Sequence, residues 1–484
     1  MYKDAASRAI ELEGFAPYVY SLPSWVKDAT FYQIFPERFY NGDLSNDPAR
    51  AERWDGKPKR DNFFGGDLSG VIEKLPYLVS LGIDAIWFNP IFDSPSNHKY
   101  NTRNYMKIDP HLGDLQTFKE LLNKCHENGI RVILDGVFNH TGDEFWAFKD
   151  IVEKGAKSKY VKWYNIHSFP IQKYPTPNYD CWWGFSSLPK LMTRNPEVRK
   201  YIFDVVTFWT KDIGIDGWRL DVPNEVEHEF WIDFRKLVKS INPECYIVGE
   251  IWHDGSPWLK GDQFDGIMNY LFRDAVVSFF AKREINVDTF DAMLYKLRKD
   301  YSPQITHQLL NLLGSHDTAR FLTLCEGRVE RMFPAIVFQM TYPGAPMIYY
   351  GDEIGLTGEE DPDCRKPMVW EESKWNRELL SLYRKTIAIR KKYPALRTGE
   401  YITLLRHNLN GSYAYLRQDE DDSIIVVLNL DKSWHGTEIS LHGRIPDGTI
   451  FIDVLNDREY IVNHGMVRID PLVKYKAGIL IAQK

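Results

Sequence analysis

Two kinds of segment, each with its own pattern of apolar and polar residues, alternate along the chain. Short runs that are nearly continuous in apolar residues indicate strands buried on both faces, as in a parallel sheet. Between them lie amphipathic stretches with helical spacing, such as 115–129 and 197–214, and each ends in a glycine typical of a helix C-terminus. The predicted strands are FYQIFPERF (31–39), DAIWFNPIF (84–92), RVILDGVF (131–138), GWRLDV (217–222), YIVGEIW (246–252), GIMNY (266–270), LLNLLGSHD (309–317) and PMIYYGDE (346–353).

Eight strands separated by helices favour an α/β fold of the (β/α)8 TIM-barrel type. An open doubly wound sheet is the alternative, but no glycine-rich phosphate turn follows the first strand. Two regions break the alternation: residues 141–194, rich in Trp, Tyr, Pro and Lys, predict an inserted domain after strand 3, and short alternating strands from residue 398 predict a C-terminal antiparallel β-sandwich. The predicted domains are a short N-terminal extension (1–24), a catalytic barrel (25–140 and 195–397), the inserted domain (141–194) and the C-terminal β domain (398–484).

Composition narrows the possible partners. With 484 residues, 44% hydrophobic and 26% charged, the chain resembles ordinary globular proteins, and its net charge of −7 without a basic run argues against nucleic-acid binding. Five scattered cysteines without a Cys-x-x-Cys pair argue against a disulfide framework or a zinc site and favour a reducing compartment. Neither a signal-peptide pattern nor an apolar run of about 18 residues occurs, so we expect a cytoplasmic protein with no membrane partner.

Aromatic residues make up 14% of the chain, and this content has two interpretations. One is a large aromatic core, and the other is a site that stacks flat rings or sugars. Part of the content falls in barrel helices, at Phe203, Phe208 and Trp209. Another part falls in the insertion, where we expect it to lie beside the cleft, at Trp163, Tyr164, Tyr174, Tyr179, Trp182, Trp183 and Phe185.

Four predicted strands end in a carboxylate, at the end where barrel enzymes hold their active sites. These residues are Asp135, Asp221, Glu250 and Asp317. One such residue alone is more often a helix cap or part of a surface turn. Four at one end of a barrel converge, and carboxylates packed together shift one another's pKa, which is typical of an acid–base site.

Basic residues accompany these carboxylates. Arg219 lies two residues before Asp221, so on a strand both side chains point to the same face, and the guanidinium can keep Asp221 ionised and oriented. His140 and His316 are candidate hydrogen-bond donors to a ligand, although a lone histidine is more often structural. Two carboxyl groups beside an aromatic-lined cleft favour glycoside hydrolysis, with retention or inversion left open because the sequence gives no carboxyl separation.

Several motifs together resemble the α-amylase family of glycoside hydrolases, known as family 13. DGVFNH, GWRLD, GEIW and GSHDT, in this order and at these strand ends, resemble its four signature regions. SLPKL (187–191) is similar to the Met-Pro-Lys-Leu-Asn element of the neopullulanase, cyclomaltodextrinase and maltogenic-amylase branch. The resemblance covers about residues 22–400. It extends through WVKDATFYQIFPERFYNGDLSNDP (25–48), GGDLSGVIEKLPYLVSLGIDAIWFNPIF (65–92), SNHKYNT (96–102) and PGAPMIYYGDEIGL (343–356).

The resemblance implies a retaining mechanism and assigns roles. Asp221 would be the nucleophile, Glu250 the general acid and base, and Asp317 the residue that stabilises the transition state. Tyr100 would stack on the sugar at the cleaved bond, and Trp252 would line the leaving-group side. The implied substrate-binding set is Tyr100, Asp135, His140, Arg219, Asn224, Glu225, Trp252, His316 and Arg365.

A calcium site is a second expectation. FYNGDLSNDP (39–48) and GGD (65–67) are rich in oxygen side chains, but such residues also suit loops, and the spacing is not that of an EF-hand. The resemblance implies a structural Ca²⁺ held by Asn41, Asp43, Asn46, Asp47, the Gly65 carbonyl and Asp67.

Several departures from the branch bear on specificity and assembly. Only about 24 residues precede the barrel, whereas relatives carry an N-terminal β domain that helps form their dimer, so both a monomer and a homodimer stay open. Pro223, Asn101, Leu188 and Met192 replace the commoner Ala, Asp, Met and Asn of the corresponding motifs.

Three functions remain in view. The first is hydrolysis of maltooligosaccharides, cyclodextrins or pullulan, at α-1,4 and possibly α-1,6 bonds, with some transglycosylation. The second is mainly 4-α-glucanotransferase or α-glucosidase activity. The third is a catalytically silent glucan-binding protein, which we would expect to have lost one of Asp221, Glu250 and Asp317.

Overall fold

Two eight-stranded sheets and one small hairpin form the β-structure of the described residues. The computed structural model describes residues 22–409, 411–430 and 436–483, so most of the predicted N-terminal extension lies outside the described residues. All strand pairs of the first sheet are parallel, and those of the second are antiparallel. This confirms the predicted barrel with a C-terminal β domain, while the exact domain boundaries stay a prediction.

The first sheet closes into a barrel. Its strands are hydrogen-bonded in chain order from the first to the sixth, the eighth lies between the first and the seventh, and a parallel bridge between Met268 and Leu310 joins the sixth to the seventh. The strands are β1 (Phe31–Ile34), β2 (Ala85–Phe88), β3 (Arg131–Gly136), β4 (Gly217–Leu220), β5 (Tyr246–Gly249), β6 (Gly266–Ile267), β7 (Leu310–Leu312) and β8 (Ala345–Tyr349).

These strands are shorter than the apolar runs that predicted them. Asp221 and Glu250 directly follow β4 and β5, and Asp317 lies in the loop beyond β7. After Asp221 the chain turns at once, because Val222 adopts a left-handed conformation with φ of 43°. The predicted runs therefore included both the strand and the start of the loop that carries the chemistry.

Helices surround the barrel, and most of the long ones begin at a side-chain cap. Asp67, Asp114 and Asn195 each accept a hydrogen bond from a backbone N–H of the first turn. The helix expected over 197–214 is α-helical only to Thr207 and continues as a π-helix, Phe208–Ile213, before Gly214 ends it. A second π-helix is Val277–Ala281. The α-helices are Leu68–Leu81, Leu115–Glu127, Trp146–Lys154, Pro196–Thr207, His228–Ile241, Tyr270–Val276, Val287–Asp300, Pro303–Thr306, Phe321–Leu324, Met332–Thr341, Arg377–Lys392 and Ala395–Thr398.

Alternate residues of each barrel strand face opposite sides. Phe31, Trp87, Ile133 and Val248 belong to the apolar core inside the barrel, whereas their chain neighbours pack outward against the helices. Successive side chains of a strand point to opposite faces, so each inward position two residues further along lies nearer the carboxyl end of the barrel. This alternation decides which polar side chains reach the active site.

Part of the segment after β3 is buried in the main apolar core of the protein. Trp163, Tyr164 and Tyr179 are buried, and Phe148 packs edge-on against the two tyrosines. The expectation that all aromatic residues of this segment lie beside the cleft is therefore wrong for these three, because they pack into the apolar core that the segment shares with the barrel. Trp182, Trp183 and Phe185 instead form a stack of rings that is partly exposed.

The C-terminal sheet packs against the barrel helices Val287–Asp300 and Met332–Thr341. The Tyr413 hydroxyl donates to Asp291 at 2.7 Å, and the buried Arg417 donates to the Leu396 carbonyl at 2.7 Å. In the described ranges no helix is long and apolar enough to cross a membrane. The C-terminal strands are Glu400–His407, Ser412–Gln418, Ser423–Asn429, Thr437–Ser440, Ile450–Asp453, Arg458–Asn463, Met466–Ile469 and Lys476–Ala482, and the small hairpin pairs Phe92–Asp93 with Asn104–Ile108.

Candidate active site

Polar side chains occupy the last inward-facing positions of five neighbouring strands. In β3 and β4, Asp135 follows Ile133 and Arg219 follows Gly217 at a spacing of two, and the same register continues to Asp221 just past the strand. In β5 the inward series ends at Glu250. The period of two thus carries apolar residues into the barrel core and polar residues to its open end.

Arg219 is the centre of this cluster. Its Nη1 donates to both oxygens of Asp135, at 3.0 and 3.1 Å, and to Asp221 Oδ1 at 3.1 Å. Its Nη2 lies 3.0 Å from Glu250 Oε2, and the guanidinium carbon lies 4.9 Å from the ring centre of Trp87. The side chain is fully buried, so one cation compensates three carboxylates in a region that excludes water.

The carboxyl groups of this cluster outnumber its cations. Burial and this excess of negative charge raise the pKa values of three of them. Burial, and then the charge of Glu250, raises the pKa of Asp221 well above its usual range, although Arg219 opposes the shift. Burial raises the pKa of Asp135 to about 6 against the opposing effect of Arg219. Burial and Glu250 raise the pKa of Asp317 to about 7. A cluster of this kind is poised for acid–base chemistry near neutral pH.

The Asp317→Asn variant should differ from the parent in its free energy of unfolding, and the difference should depend on pH. Because the folded-state pKa of Asp317 is about 7 and its ordinary value is 3.8, protonation of this group stabilises the fold fully below about pH 4, and the stabilisation is lost as the pH rises to about 7. We expect the variant to gain stability relative to the parent across this range. Urea unfolding between pH 4 and pH 8 measures it, and a constant difference would contradict the prediction.

Glu250 is held by donors on both of its oxygens. The Trp252 indole Nε1 donates to Oε1 at 3.0 Å, and the Val222 amide donates to Oε2 at 3.1 Å. The left-handed conformation of Val222 aims its amide at this carboxylate, which is a strained arrangement for a β-branched residue and typical of functional sites. Trp252 stacks on Tyr270 with ring centres 3.7 Å apart and remains 45% exposed, so its free face borders the cleft.

Asp317 lies on the other side of the cluster. Arg365 donates from Nη2 to Asp317 Oδ1 at 3.2 Å and from Nε to the His316 carbonyl at 2.8 Å. A third nitrogen, Nη1, lies 3.0 Å from Asp361. In this structure Arg365 therefore orients Asp317, in addition to its predicted place among the substrate-binding residues.

Tyr100 and two histidines lie beside the carboxylates. Tyr100 donates to Asp135 Oδ2 at 2.9 Å, and its ring is parallel to that of His316 at 5.5 Å. His140 is buried, its Nδ1 lies 3.2 Å from Asn139 Nδ2, and its Nε2 has no hydrogen-bond partner in the described part of the chain. Burial lowers the pKa of His140 to about 3, so this imidazole is neutral.

The residues predicted on the acceptor side are less central. Asn224 is exposed on the turn that follows Asp221. Glu225 binds Lys190 at 2.9 Å and accepts from the Trp183 indole at 3.2 Å, so it ties this turn to the segment after β3. Neither residue belongs to the Arg219 cluster.

The predicted calcium ligands come together in the loop after β1. Asn41 Nδ2 contacts Asp47 Oδ1 at 2.7 Å, and Asp67 accepts from Asn46 Nδ2 at 3.2 Å and caps the helix Leu68–Leu81. At Gly65, φ is 82° and a Cβ atom would lie 2.3 Å from Asp47 Oδ1, so only glycine fits. Asp43 is turned toward Ser45, whose amide donates to it at 3.0 Å.

Two buried oxygens show that this loop suits a hard cation. Asn41 Oδ1 and Asn46 Oδ1 are buried and have no hydrogen-bond partner within the described residues, which is costly unless a ligand satisfies them. No three His, Cys, Asp or Glu side chains converge on a metal position in the described ranges, so Asp43, Asp47 and Asp67 are not gathered around one point. The other half of the predicted ligands are amide or backbone oxygens. Such an oxygen set is the kind that Ca²⁺ prefers.

Two residues beside the cluster are not among those predicted from the sequence. Gln33 and Asn89 are buried, and Gln33 Nε2 lies 2.8 Å from His316 Nδ1 and donates to Asn89 Oδ1 at 2.9 Å. Their signal was the same alternation that placed the carboxylates: Gln33 follows the inward Phe31 and Asn89 follows the inward Trp87 at a spacing of two. Uncharged amides near a strand end are not a distinctive signal in a sequence because they are common in turns.

Comparison with known proteins agrees with this geometry. Residues 33–399 match the alpha amylase catalytic domain. The chain is 52% identical to a cyclomaltodextrinase of Thermoanaerobacter pseudethanolicus, over 85% of this chain and 71% of that protein. It is 49% identical to neopullulanase 2 of Thermoactinomyces vulgaris, over 96% of this chain and 79% of that protein. A solved cyclomaltodextrinase structure superposes with a TM-score of 0.92 at 43% identity, covering 97% of this chain and 80% of that one.

Proposed function

The chain belongs to the α-amylase family of glycoside hydrolases, and we propose that it hydrolyses maltooligosaccharides, cyclodextrins or pullulan at α-1,4 glucosidic bonds, and in part at α-1,6 bonds, with retention. The observation that carries this proposal is the placement of Asp221 and Glu250 on neighbouring nitrogens of one buried guanidinium. Carboxyl groups held side by side in this way suit the retaining mechanism, in which the two groups stand about 5–5.5 Å apart.

In the first step Asp221 attacks the anomeric carbon while Glu250 protonates the leaving glycosidic oxygen. Arg219 holds Asp221 Oδ1, and Oδ2 makes no hydrogen bond within the described residues, so Oδ2 is the oxygen that attacks. Glu250 is directed by the indole of Trp252 on Oε1, at the exposed side of the cluster where the leaving group departs. The products of this step are a covalent glucosyl-enzyme and a free sugar hydroxyl.

In the second step the Glu250 carboxylate takes a proton from water, and that water attacks the anomeric carbon and releases Asp221. Both steps pass through an oxocarbenium-like transition state with positive charge on the ring. Asp317 and Asp135 supply negative charge beside it, and the excess of carboxylates over cations favours that charge. Nε2 of His140, free and buried, would bind a sugar hydroxyl.

Transfer to a sugar hydroxyl is the second candidate activity. The same glucosyl-enzyme can react with an acceptor sugar in place of water, and the exposed Trp183 offers such an acceptor a ring to stack on. Its indole is fixed by Glu225, which keeps the ring at the cleft opening. Hydrolysis remains the main proposal because the named relatives are a cyclomaltodextrinase and a neopullulanase.

One experiment separates these activities. The enzyme is incubated with β-cyclodextrin, pullulan, starch and maltotriose, and the products are separated by chain length and their anomeric form is followed by NMR. We expect ring opening and α-anomeric products. Longer chains from maltotriose would indicate a transferase, glucose alone would indicate an α-glucosidase, and binding without release of reducing sugar would exclude catalysis.

We also propose a structural Ca²⁺ in the loop after β1. Asn41, Asn46, Asp47, Asp67 and the Gly65 carbonyl would hold it, with Asp43 joining after release from Ser45. The ion would satisfy the two buried amide oxygens and neutralise the carboxylates, and it would stabilise the loop without a part in the reaction.

Removal of this ion should lower the melting temperature. We expect a chelator to reduce Tm by several degrees, since a ligand that binds only the folded state stabilises it, and added Ca²⁺ to restore the loss. The Asn41→Leu variant should bind no Ca²⁺ and should not respond to chelator, whereas Asp55→Asn, at a neighbouring exposed position, should respond like the parent. An unchanged Tm together with no calcium in elemental analysis would show that the site is absent.

We propose a cytoplasmic location for the protein. Its support is the cysteines, all five of which are free and four of which are buried. The oligomeric state, monomer or homodimer, stays a prediction that light scattering can test.

A further inference from the structure

Four side chains form a closed ring of hydrogen bonds beside the carboxylate cluster. Gln33 Nε2 donates to Asn89 Oδ1 at 2.9 Å, and Asn89 Nδ2 donates to the Tyr100 hydroxyl at 3.0 Å. That hydroxyl lies 2.8 Å from His316 Nε2, and His316 Nδ1 lies 2.8 Å from Gln33 Nε2. Gln33, Asn89 and His316 are buried, so water cannot substitute for any of these partners.

Asp135, which lies outside the ring, determines which atoms of the ring donate and which accept. Above its pKa of about 6, Asp135 is a carboxylate that can only accept, and Arg219 donates two hydrogen bonds to it. Asp135 Oδ2 therefore takes the single hydroxyl proton of Tyr100. With its proton used, the Tyr100 oxygen can only accept from its other neighbours, which are Asn89 Nδ2, His316 Nε2 and, at 3.5 Å, Arg219 Nη1.

This order fixes the proton of His316. Because Nε2 must donate, it carries the proton, and the Nδ1 atom of the neutral imidazole is a bare acceptor. The group facing Nδ1 is the amide nitrogen of Gln33, which can only donate. Gln33 cannot turn its carbonyl toward the imidazole, because Asn89 presents its own oxygen to Gln33.

We propose that Gln33 is a positioning residue that holds His316 neutral with its proton on Nε2. Protonation would place an N–H of the imidazole against an N–H of Gln33. The inference rests on the proposed glucan hydrolysis for its purpose: an imidazolium 3.1 Å from Asp317 would neutralise a carboxylate that stabilises the positively charged transition state. A neutral Nε2–H remains a donor for a sugar hydroxyl.

Like Gln33, the charged groups around His316 disfavour its protonation, with one exception. Burial, and then Arg365, Arg219 and His98, lower the pKa of His316 well below its usual range. Asp317 is the exception, since its carboxylate lies at Nε2 and favours the charged form. Gln33 acts at the opposite nitrogen, Nδ1. It places a donor there, so a second imidazole proton on Nδ1 would have no acceptor.

The test reads the proton directly and needs no substrate. Nitrogen-15 NMR of the histidine-labelled enzyme, with the His316 signals identified from the His316→Gln variant, reports the tautomer and its titration. In the parent we expect the neutral Nε2–H form above about pH 6, where Asp135 is ionised, and no imidazolium throughout pH 5–8. In Gln33→Glu, where a carboxylate can accept from Nδ1, we expect His316 to titrate within this range.

Activity should follow the tautomer. We expect kcat on β-cyclodextrin to fall about 10–100-fold in Gln33→Glu and Gln33→Met, the size usual for partners that orient a functional histidine, while KM changes much less. Gln339→Met is the matched control, because Gln339 is equally buried but donates to the Asn311 and Met347 carbonyls outside the site. It should lower stability and leave kcat and the His316 signals unchanged.

Each outcome decides the matter. The inference is overturned if the parent shows the Nδ1–H form above about pH 6 or a titrating His316, and this result requires no variant to fold. It is equally overturned if the Gln33 variants keep the parental tautomer and lose no more activity than Gln339→Met. If the tautomer is as expected but no glucan is hydrolysed, the proposed function fails and the assignment of the proton stands.

Discussion

Asp221→Asn is expected to leave a folded protein whose kcat on maltooligosaccharides is reduced by about 10⁴-fold or more, the scale seen when one member of a catalytic unit is removed. An amide oxygen is a far weaker nucleophile than a carboxylate, so the glucosyl-enzyme no longer forms. Stability should not fall, because burial and Glu250 already make the charge of Asp221 unfavourable, as its raised pKa shows. The measurement is kcat together with the free energy of unfolding.

Asp216→Asn is the matched control for this variant. Asp216 is also buried and directly precedes β4, but at the opposite end of the barrel, where it accepts from Arg131 and from the Val132 amide. This change should lower stability and leave kcat near the parental value. Near-normal turnover in Asp221→Asn would remove the assignment of the nucleophile.

Arg219→Met is expected to have the second large effect, on stability and activity together. Methionine fills similar space but leaves Asp135, Asp221 and Glu250 buried without a cation, and removal of one partner from a buried ion pair costs about 3–5 kcal/mol. The loss should be largest at pH 8 and smaller at pH 5, because the carboxylates left without a partner bind protons in the folded state as the pH falls. Arg219→Lys should recover part of the stability but little activity, since one ammonium cannot span three carboxylates.

The control for this prediction is Arg235→Met. Arg235 is buried and pairs with Asp265 at 2.7 Å, but Lys239 also binds Asp265 at 2.8 Å and continues to compensate its charge. We expect a smaller loss of stability there, with less dependence on pH and with kcat retained. Equal pH dependence in the two variants, measured by denaturant unfolding, would contradict the role of Arg219 as the compensating cation of the cluster.

Much of the fold was predictable because barrel strands are buried on both faces. Their apolar runs in 31–39 and 84–92 mark strands without ambiguity, and glycine at 214 marks the end of a helix. The lengths of the strands were less predictable, because the chemistry-bearing loops at GEIW and GSHD carry apolar or small residues of their own. The π-helix Phe208–Ile213 had no signal, since its residues fit an α-helical pattern equally well.

The candidate site divides in a similar way. Charged residues at strand ends are conspicuous, so Asp221, Glu250 and Arg219 could be named from the sequence. Gln33 and Asn89 could not, because their importance depends on a histidine and a tyrosine that lie far along the chain and meet them only in the folded barrel. The aromatic insertion was predicted as a cleft wall, yet Trp163 and Tyr179 are buried in the apolar core that it shares with the barrel.

The sequence by itself determined the family, the barrel and the set of carboxylates, because motifs and alternation are local properties of the chain. Only the tertiary structure decided how these groups share charge and protons. One guanidinium faces three carboxylates, and a ring of four side chains orders the proton of His316. Burial and hydrogen-bond direction depend on every neighbour at once, and residues from β1 and from the loops after β2 and β7 become neighbours only when the barrel closes.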